Sequence, residues 1–376
     1  MRRPKPPVDK SFLLIVFFFL GLGLVQVYSS SFILAMEKYG DGLHIFKRQL
    51  LFSLLGVFTL YLGLKMPQEW LRKLTPFFWL VASCILLLTF VPGFGIRAGG
   101  AQRWLRLPFE QRFEPAEFIK LLVPYMMASY IARSEKPSSW VQWVLHVLFL
   151  IIPLVLLLFQ PDFGTFAICI GVVFLVLFAF GLNWKFIAAG FTLALPAFYF
   201  LVLRVPYREA RIRAFLDPWS DPAQKGFQVI QSMLAFSSGG LWGEGLGQGQ
   251  GKLFFLPEAH TDFTLAVLGE ETGYVGFLVV VILYGILVFK GMQISLRAQD
   301  SFTRAASLGW SLMFGLSVFI NVGVVLGLLP TKGLTLPFLS YGGSSLVMTC
   351  LGFGWLLSLD RQTRKNKLEV ISRIRP

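Results

Sequence analysis

From Phe12 to Met36 the chain carries no charged side chain. A run of that kind is what a helix needs to cross a hydrocarbon core roughly 30 Å thick. Nine further apolar stretches follow, at about 46–66, 74–92, 116–133, 144–160, 163–181, 184–203, 264–290, 305–329 and 338–359. Only closed backbone hydrogen bonding survives in lipid, so stretches of this length read as helices. The pattern predicts an all-α polytopic membrane protein with about ten transmembrane helices. Its large extracytoplasmic loop would lie between the seventh and eighth. Arg2, Arg3, Lys5 and Lys10 before the first stretch would suit a signal peptide, but the apolar region of a signal peptide runs only about 7–15 residues. The first segment therefore reads as a retained span. Gln160-Pro161-Asp162 separates two of the stretches and predicts a tight reversal, since proline cannot continue a helix.

Composition agrees. Hydrophobic residues make up 55% and charged residues 14%, against about 45–50% and about 25% in soluble domains. The net charge of +14 would suggest nucleic acid in a soluble protein; here cytoplasmic basic flanks and anionic lipid account for much of it. Cys84, Cys169 and Cys350 lie in apolar segments without metal-ligand spacing, and we read them as packing residues.

With the N-terminus in the cytoplasm, the inner ends of the spans collect most of the basic side chains, including Lys65, Arg72, Lys73, Arg133, Lys136, Lys185, Lys290, Arg297 and Arg304. The whole chain, 1–376, reads as a single membrane domain. It has a cytoplasmic tail at 1–11, an extracytoplasmic loop at 204–263 and a basic cytoplasmic tail at 360–376. The basic residues left outside are not explained by topology: Arg97, Arg103, Arg106 and Arg112 in one loop, and Arg204, Arg208, Arg211, Arg213, Lys225 and Lys252 in the other. A cationic outer face suits an anionic ligand such as a phosphate; the plain alternative is a solvated loop with scattered charge. Residues 239–251, GGLWGEGLGQGQG, resemble a phosphate loop only superficially, because Leu253 rather than Ser or Thr follows Lys252. We read them as a flexible or re-entrant segment near the site.

Ionisable groups at membrane depth cost about 2.5–3.5 kcal/mol on insertion scales and so mark sites or pathways. Glu117 and Lys120 lie at i, i+3 at the head of the fourth span, where they bind a ligand or merely pair with each other. Asp162 opens the sixth span and would serve as its cap or as a ligand. Lys332 sits beside an outer helix end, reaching a ligand or snorkelling to the surface. The densest cluster is Leu256 to Phe263, LPEAHTDF, with Glu270 and Glu271 following inside the eighth span. Asp262 would cap that span or act as a general base beside the cationic face. His260 is a loop hydrogen-bonder or a participant in chemistry.

Read together, these strings resemble the SEDS family (shape, elongation, division and sporulation), the FtsW and RodA group. The matching strings are Gly100-Ala101-Gln102-Arg103-Trp104, Pro115-Ala116-Glu117-Phe118-Ile119-Lys120, Gln160 to Thr165, Arg211 to Trp219, Gly226-Phe227-Gln228, Leu256 to Phe263 and Pro330 to Ser345, PTKGLTLPFLSYGGSS. They cover about residues 12–360. Lys332 and Pro257-Glu258-Ala259-His260 lean towards the division branch. Glu114 departs from the usual Gln, and Phe254 from an acid found in some relatives. The resemblance implies a peptidoglycan glycosyltransferase that polymerises lipid II in the bacterial cytoplasmic membrane at the division septum. Its partners would be a class B penicillin-binding protein and other division proteins, with no nucleic acid. The essential aspartate maps onto Asp262. The important basic positions map onto Arg112, Lys120 and Lys332, with Glu117, Asp162, Arg103, His260 and Ser340 as further substrate-binding candidates. No metal site is expected in the protein. A divalent cation, Mg or Mn, would share the work of stabilising a departing pyrophosphate, though no ligand cluster demands one. Two other readings use the same residues: a flippase for the same lipid, which needs a polar route through the bilayer, and a non-enzymatic scaffold for division proteins.

Overall fold

The computed structural model describes residues 8–98, 101–106, 108, 111–133, 140–200, 204–224, 226–251 and 256–374. Arg2, Arg3, Lys5, Gly100, Lys136, Lys225, Lys252 and Phe254 lie outside the described residues. Each of the ten apolar stretches falls on a helix: α1 (Lys10–Tyr39), α2 (His44–Lys65), α3 (Gln68–Leu88), α4 (Pro115–Arg133), α5 (Trp140–Phe159), α6 (Phe163–Ala179), α7 (Trp184–Phe198), α10 (Thr264–Arg297), α11 (Ser301–Val325) and α12 (Gly343–Ile374). Among the described residues, six of these are long and apolar enough to cross a membrane: α1, α2, α3, α10, α11 and α12. Side chains on their outward faces are large, apolar and exposed, such as Leu14 and Phe18 on α1, Leu54 and Phe58 on α2, and Ile282 and Phe289 on α10. Lipid is the solvent such faces require.

Two expectations change. The outer segment after α3 is a small antiparallel sheet rather than an irregular loop, with β1 (Gly95–Ala98), β2 (Ala101–Arg106) and β3 (Arg112–Phe113) in sequence order. Ala98 pairs with Ala101 and Leu105 with Phe113, which lays β2 between the other two strands. The loop at 204–263 also carries two helices, α8 (Pro206–Leu216) and α9 (Phe227–Gly239). The buried hydroxyl of Ser232 ties α9 to α11 by donating to the Val325 carbonyl at 2.6 Å.

The core lies between α4, α11 and α12. Phe314, Phe338 and Phe353 meet there, with ring centroids 4.8 Å apart for Phe314–Phe353 and 5.6 Å for Phe338–Phe353. Phe338 is a further departure: residues 338–342 are apolar enough to read as the start of the last span, yet the helix begins at Gly343. The chain before it dips into the core as a non-helical loop, and Phe338 takes a left-handed φ of 70°. Tyr284 donates to the Pro337 carbonyl at 2.5 Å, which meets a backbone acceptor that lipid would leave unpaired. On the other side α1 carries Gly23, because a Cβ there would run into the Phe338 carbonyl. This loop fixes the position of Lys332.

Candidate active site

At one end of the bundle lies an open cavity of about 2110 Å³. Its wall is built from the ends of α1 and α2, the sheet, the start of α6, the helix α8, the turn before α10 and the loop before α12. Eight basic side chains line it against four acidic ones. Such a surface carries a positive potential, which the surrounding apolar walls strengthen.

Asp262 stands in the wall at the foot of α10. The turn that presents it is tight: Glu258 has a left-handed φ of 56°, and its carbonyl accepts from the Thr261 N–H at 3.1 Å. Asp262 does not cap α10. The cap position is Phe263, and no side chain caps that end. Among the described residues the Asp262 carboxylate accepts no hydrogen bond, so its oxygens remain available to a ligand. Burial, reinforced by the Glu258 carboxylate, pushes its pKa up to about 7, against the pull of Arg211, Arg103 and Lys332. Asn321 holds the site from below. Its amide donates to the Asp262 carbonyl at 3.2 Å and to the Leu334 carbonyl at 2.6 Å, joining the aspartate's turn to the lysine's loop.

Lys332 does not snorkel. Its Nζ is buried, with no hydrogen-bond partner among the described residues. It lies directly over Gly164 in the first turn of α6, in space a Cβ would fill. Burial pulls its pKa down to about 8, partly countered by Asp162. Asp162 caps α6, accepting from the Thr165 N–H at 3.4 Å, and also lines the cavity. Arg103 on β2 donates to the Pro161 carbonyl at 2.5 Å and faces the same space. Arg112 also lines the cavity and is exposed. Glu114, just before α4, is a cavity carboxyl that the motif reading passed over. Burial, with Glu117 and Asp162 adding repulsion, raises its pKa to about 8.

Four candidates are not on the cavity wall. Glu117 and Lys120 form a buried ion pair, with Nζ–O distances of 2.9 and 3.1 Å; each already has its partner beneath the cavity floor. His260 presents its carbonyl to the Tyr341 N–H at 2.8 Å, and its ring lies beside that tyrosine. Burial lowers its pKa. Ser340 accepts from the Leu336 N–H at 2.9 Å and is a structural pin of the buried loop. The glycine-rich segment is also displaced from the site. The Gln250 and Gly251 N–H groups donate to the Glu270 carboxylate at 2.8–3.1 Å, so its backbone donors bind an internal acid rather than a ligand phosphate. Among the described residues no three His, Cys, Asp or Glu side chains are placed to hold a metal ion.

Three wall residues were not singled out in the sequence. Lys38 and Arg48, at the ends of α1 and α2, belong to none of the motifs, and Glu114 was noted only as a departure. Asn321 had left a signal, being an amide within an apolar span.

The family model described as cell cycle protein, FtsW, RodA and SpoVE, matches residues 10–365. A probable peptidoglycan glycosyltransferase FtsW from Geobacter metallireducens is 43% identical over 347 residues, covering 91% of this chain and 92% of the relative. Stage V sporulation protein E of Bacillus subtilis is 35% identical, covering 97% and 100%. Among solved structures, a chain of a peptidoglycan synthase complex that coordinates polymerization and crosslinking superposes with a TM-score of 0.75 at 31% identity, covering 94% of this chain and 98% of that one. The rod shape determining protein RodA of Thermus thermophilus superposes with a TM-score of 0.69 at 27% identity, covering 94% and 97%.

Proposed function

The chain belongs to the FtsW, RodA and SpoVE family of cell cycle proteins, and from that membership we propose that it polymerises lipid II into β-1,4 glycan strands during septal wall synthesis. The carrying observation is Asp262: a carboxylate without a hydrogen-bond partner among the described residues, its pKa near 7, facing a cationic cavity. A base with that pKa is half ionised at neutral pH and still takes a proton readily.

In the proposed reaction the 4-hydroxyl of the acceptor's GlcNAc attacks the anomeric carbon of the donor's MurNAc. Asp262 takes the hydroxyl proton as the new O–C bond forms. The bond from the anomeric carbon to the phosphate oxygen breaks on the opposite face, and undecaprenyl pyrophosphate leaves. The α-linked donor thereby becomes a β-linked unit. Lys332, Arg103 and Arg211, the cations that act on Asp262, stabilise the departing charge. Glu117 and Lys120 hold the floor beneath. A divalent cation bound through the pyrophosphate would add Lewis-acid stabilisation there.

The orientation follows from the reaction. All ten apolar helices cross the bacterial cytoplasmic membrane, both termini lie in the cytoplasm, and the cavity faces outward, where glycan is needed. The partner is a class B penicillin-binding protein that cross-links the strands, together with other division proteins. A flippase would need polar groups along the full depth of the membrane; here the cavity charges gather at one end.

Asp262→Asn tests the assignment. Asn has the same size but takes no proton at neutral pH. The purified variant, melting like wild type, is expected to make almost no glycan from lipid II. Full polymer yield would remove Asp262 from the chemistry.

A further inference from the structure

The glycine-rich segment 239–251 and the acid it binds, Glu270, both lie off the cavity wall. They meet where α10 is broken. Gly273 has a φ of 69° and a ψ of −174°, which no continuous helix contains. An unbroken helix would pair the Tyr274 N–H with the Glu270 carbonyl and the Val275 N–H with the Glu271 carbonyl. Here the segment partners all four groups. The Glu244 and Gly245 N–H groups donate to the Glu270 and Glu271 carbonyls, each at 3.0 Å. The Tyr274 and Val275 N–H groups donate to the Gly240 and Leu241 carbonyls at 2.9 and 3.2 Å. The Glu270 side chain then reaches the far end of the segment, accepting from the Gln250 N–H at 2.8 Å and from the Gly251 N–H at 3.1 Å. Glycine at 249 and 251 leaves room for it, since a Cβ would stand 2.8 or 2.9 Å from Oε2. From Gly251 the contacts lead to the base. The Gly251 carbonyl accepts from the Leu256 N–H at 2.9 Å, and Leu256, which is buried, opens the turn that ends at Asp262.

Building on the glycosyltransferase reading, we propose that Glu270 is a positioning residue for the reaction: it clamps the glycine-rich segment to α10 and so fixes the turn that presents Asp262. Among the described residues no group binds the Asp262 carboxylate, so backbone ties must set its place. Asn321 holds the Asp262 carbonyl at 3.2 Å, and the Tyr341 N–H holds the His260 carbonyl at 2.8 Å. Both grip the late part of the turn. Glu270 grips its start, so the chain from Gly251 to Asp262 is anchored at both ends to the outer part of α10. A base displaced by about 1 Å loses on the order of 100-fold in rate, which makes such a tie matter to the chemistry without touching substrate. The clamp also accounts for the composition of the segment. Close backbone approach to a broken helix and to a carboxylate leaves little space for side chains. Substrate phosphate has no part in it.

The test uses the full-length chain in lipid nanodiscs with a class B penicillin-binding protein, and measures lipid II polymerisation against substrate concentration and pH. Glu270→Ala removes the acceptor. The N–H groups it frees are only part-buried, so water replaces the carboxylate and the fold should hold. We expect kcat to fall about 10- to 100-fold with KM changed less than about two-fold. The acid limb should also move down from about 7, because a loosened turn admits water to Asp262, whose burial outweighs the effects of Glu258, Arg211, Arg103 and Lys332 around it. Glu270→Gln keeps an oxygen that accepts both N–H groups, and should keep the acid limb and a kcat within about three-fold of wild type. Gly251→Ala loosens the clamp from the other side, its methyl meeting the Glu270 carboxylate, and decides the matter if Glu270→Ala misfolds. Added to Glu270→Ala it should cost nothing more, since the two act on one contact. A wild-type kcat in both alanine variants would overturn the inference. So would a Glu270→Gln protein as slow as Glu270→Ala, or a loss that follows the folded fraction with the acid limb unmoved. A wild-type chain that makes no glycan would instead overturn the glycosyltransferase reading.

Discussion

The two shifted groups beside the cavity predict a narrow pH optimum. Asp262 must be ionised to accept a proton, and its pKa is raised to about 7. Lys332 must be protonated to stabilise pyrophosphate, and its pKa is lowered to about 8. The rate therefore rises as pH passes upward through the first value and falls as it passes through the second. At pH 6 about one tenth of Asp262 is in the base form; at pH 9 about one tenth of Lys332 is charged. Near pH 7.5 roughly three quarters of each is correct, so kcat/KM should be about six-fold higher there than at either flank. Glu114 sharpens the alkaline side, because ionisation above about 8 adds a negative charge to the wall. Initial rates of lipid II polymerisation at low substrate, across that range and at constant ionic strength, report the free protein's groups. Lys332→Arg keeps its charge at every accessible pH, and Glu114→Gln cannot ionise. Their combination should flatten the alkaline limb and leave the acid limb in place. Lys332→Met removes a cation that acts on Asp262, so the acid limb should move upward. An acid limb near the ordinary aspartate value, or an alkaline limb unchanged in the double variant, would refute the reasoning.

Gly164→Ala places a methyl where the Lys332 amine lies; the flexible lysine end should yield, cutting kcat about 10- to 100-fold. Its melting temperature should hold or rise, because Ala favours a helix by about 1 kcal/mol over Gly. Lys120→Met strands the buried Glu117 carboxylate and should cost about 3–5 kcal/mol, read as a lower melting temperature; Glu117→Leu added to it should restore much of the loss. A Lys120→Met protein that melts normally but no longer polymerises would return Lys120 to substrate binding. A cysteine at Gln248 should react with an impermeant label applied from outside the cell, while one at Gln362 should not; the opposite pattern would reverse the orientation.

The sequence showed its apolar helices clearly because lipid leaves the backbone few choices. The same argument hid the loop at 330–342. Residues 338–342 read as the start of the last span, but Tyr284 and Asn321 satisfy the Pro337 and Leu334 carbonyls just before them, and the chain enters the core unwound. Tertiary partners, not local pattern, decide that stretch. The motif around Asp262 was legible as chemistry, yet the same string put His260 forward as a candidate. Residues two apart on a tight turn are placed differently: Asp262 lines the cavity and His260 packs beside Tyr341.

Charge was the hardest feature to read, because a basic residue at a helix end has the same sequence signature whether it faces headgroups or a ligand. Lys38 and Arg48 belong to none of the motifs, while Arg112 and Lys332 are grouped by the family resemblance, which maps both onto important basic positions. The structure separates these cases by what each cation faces. Lys120 faces Glu117 and is neutralised below the cavity. Lys332 is buried over Gly164, its amine without a hydrogen-bond partner among the described residues. Arg48 and Arg112 line the same cavity near Tyr341.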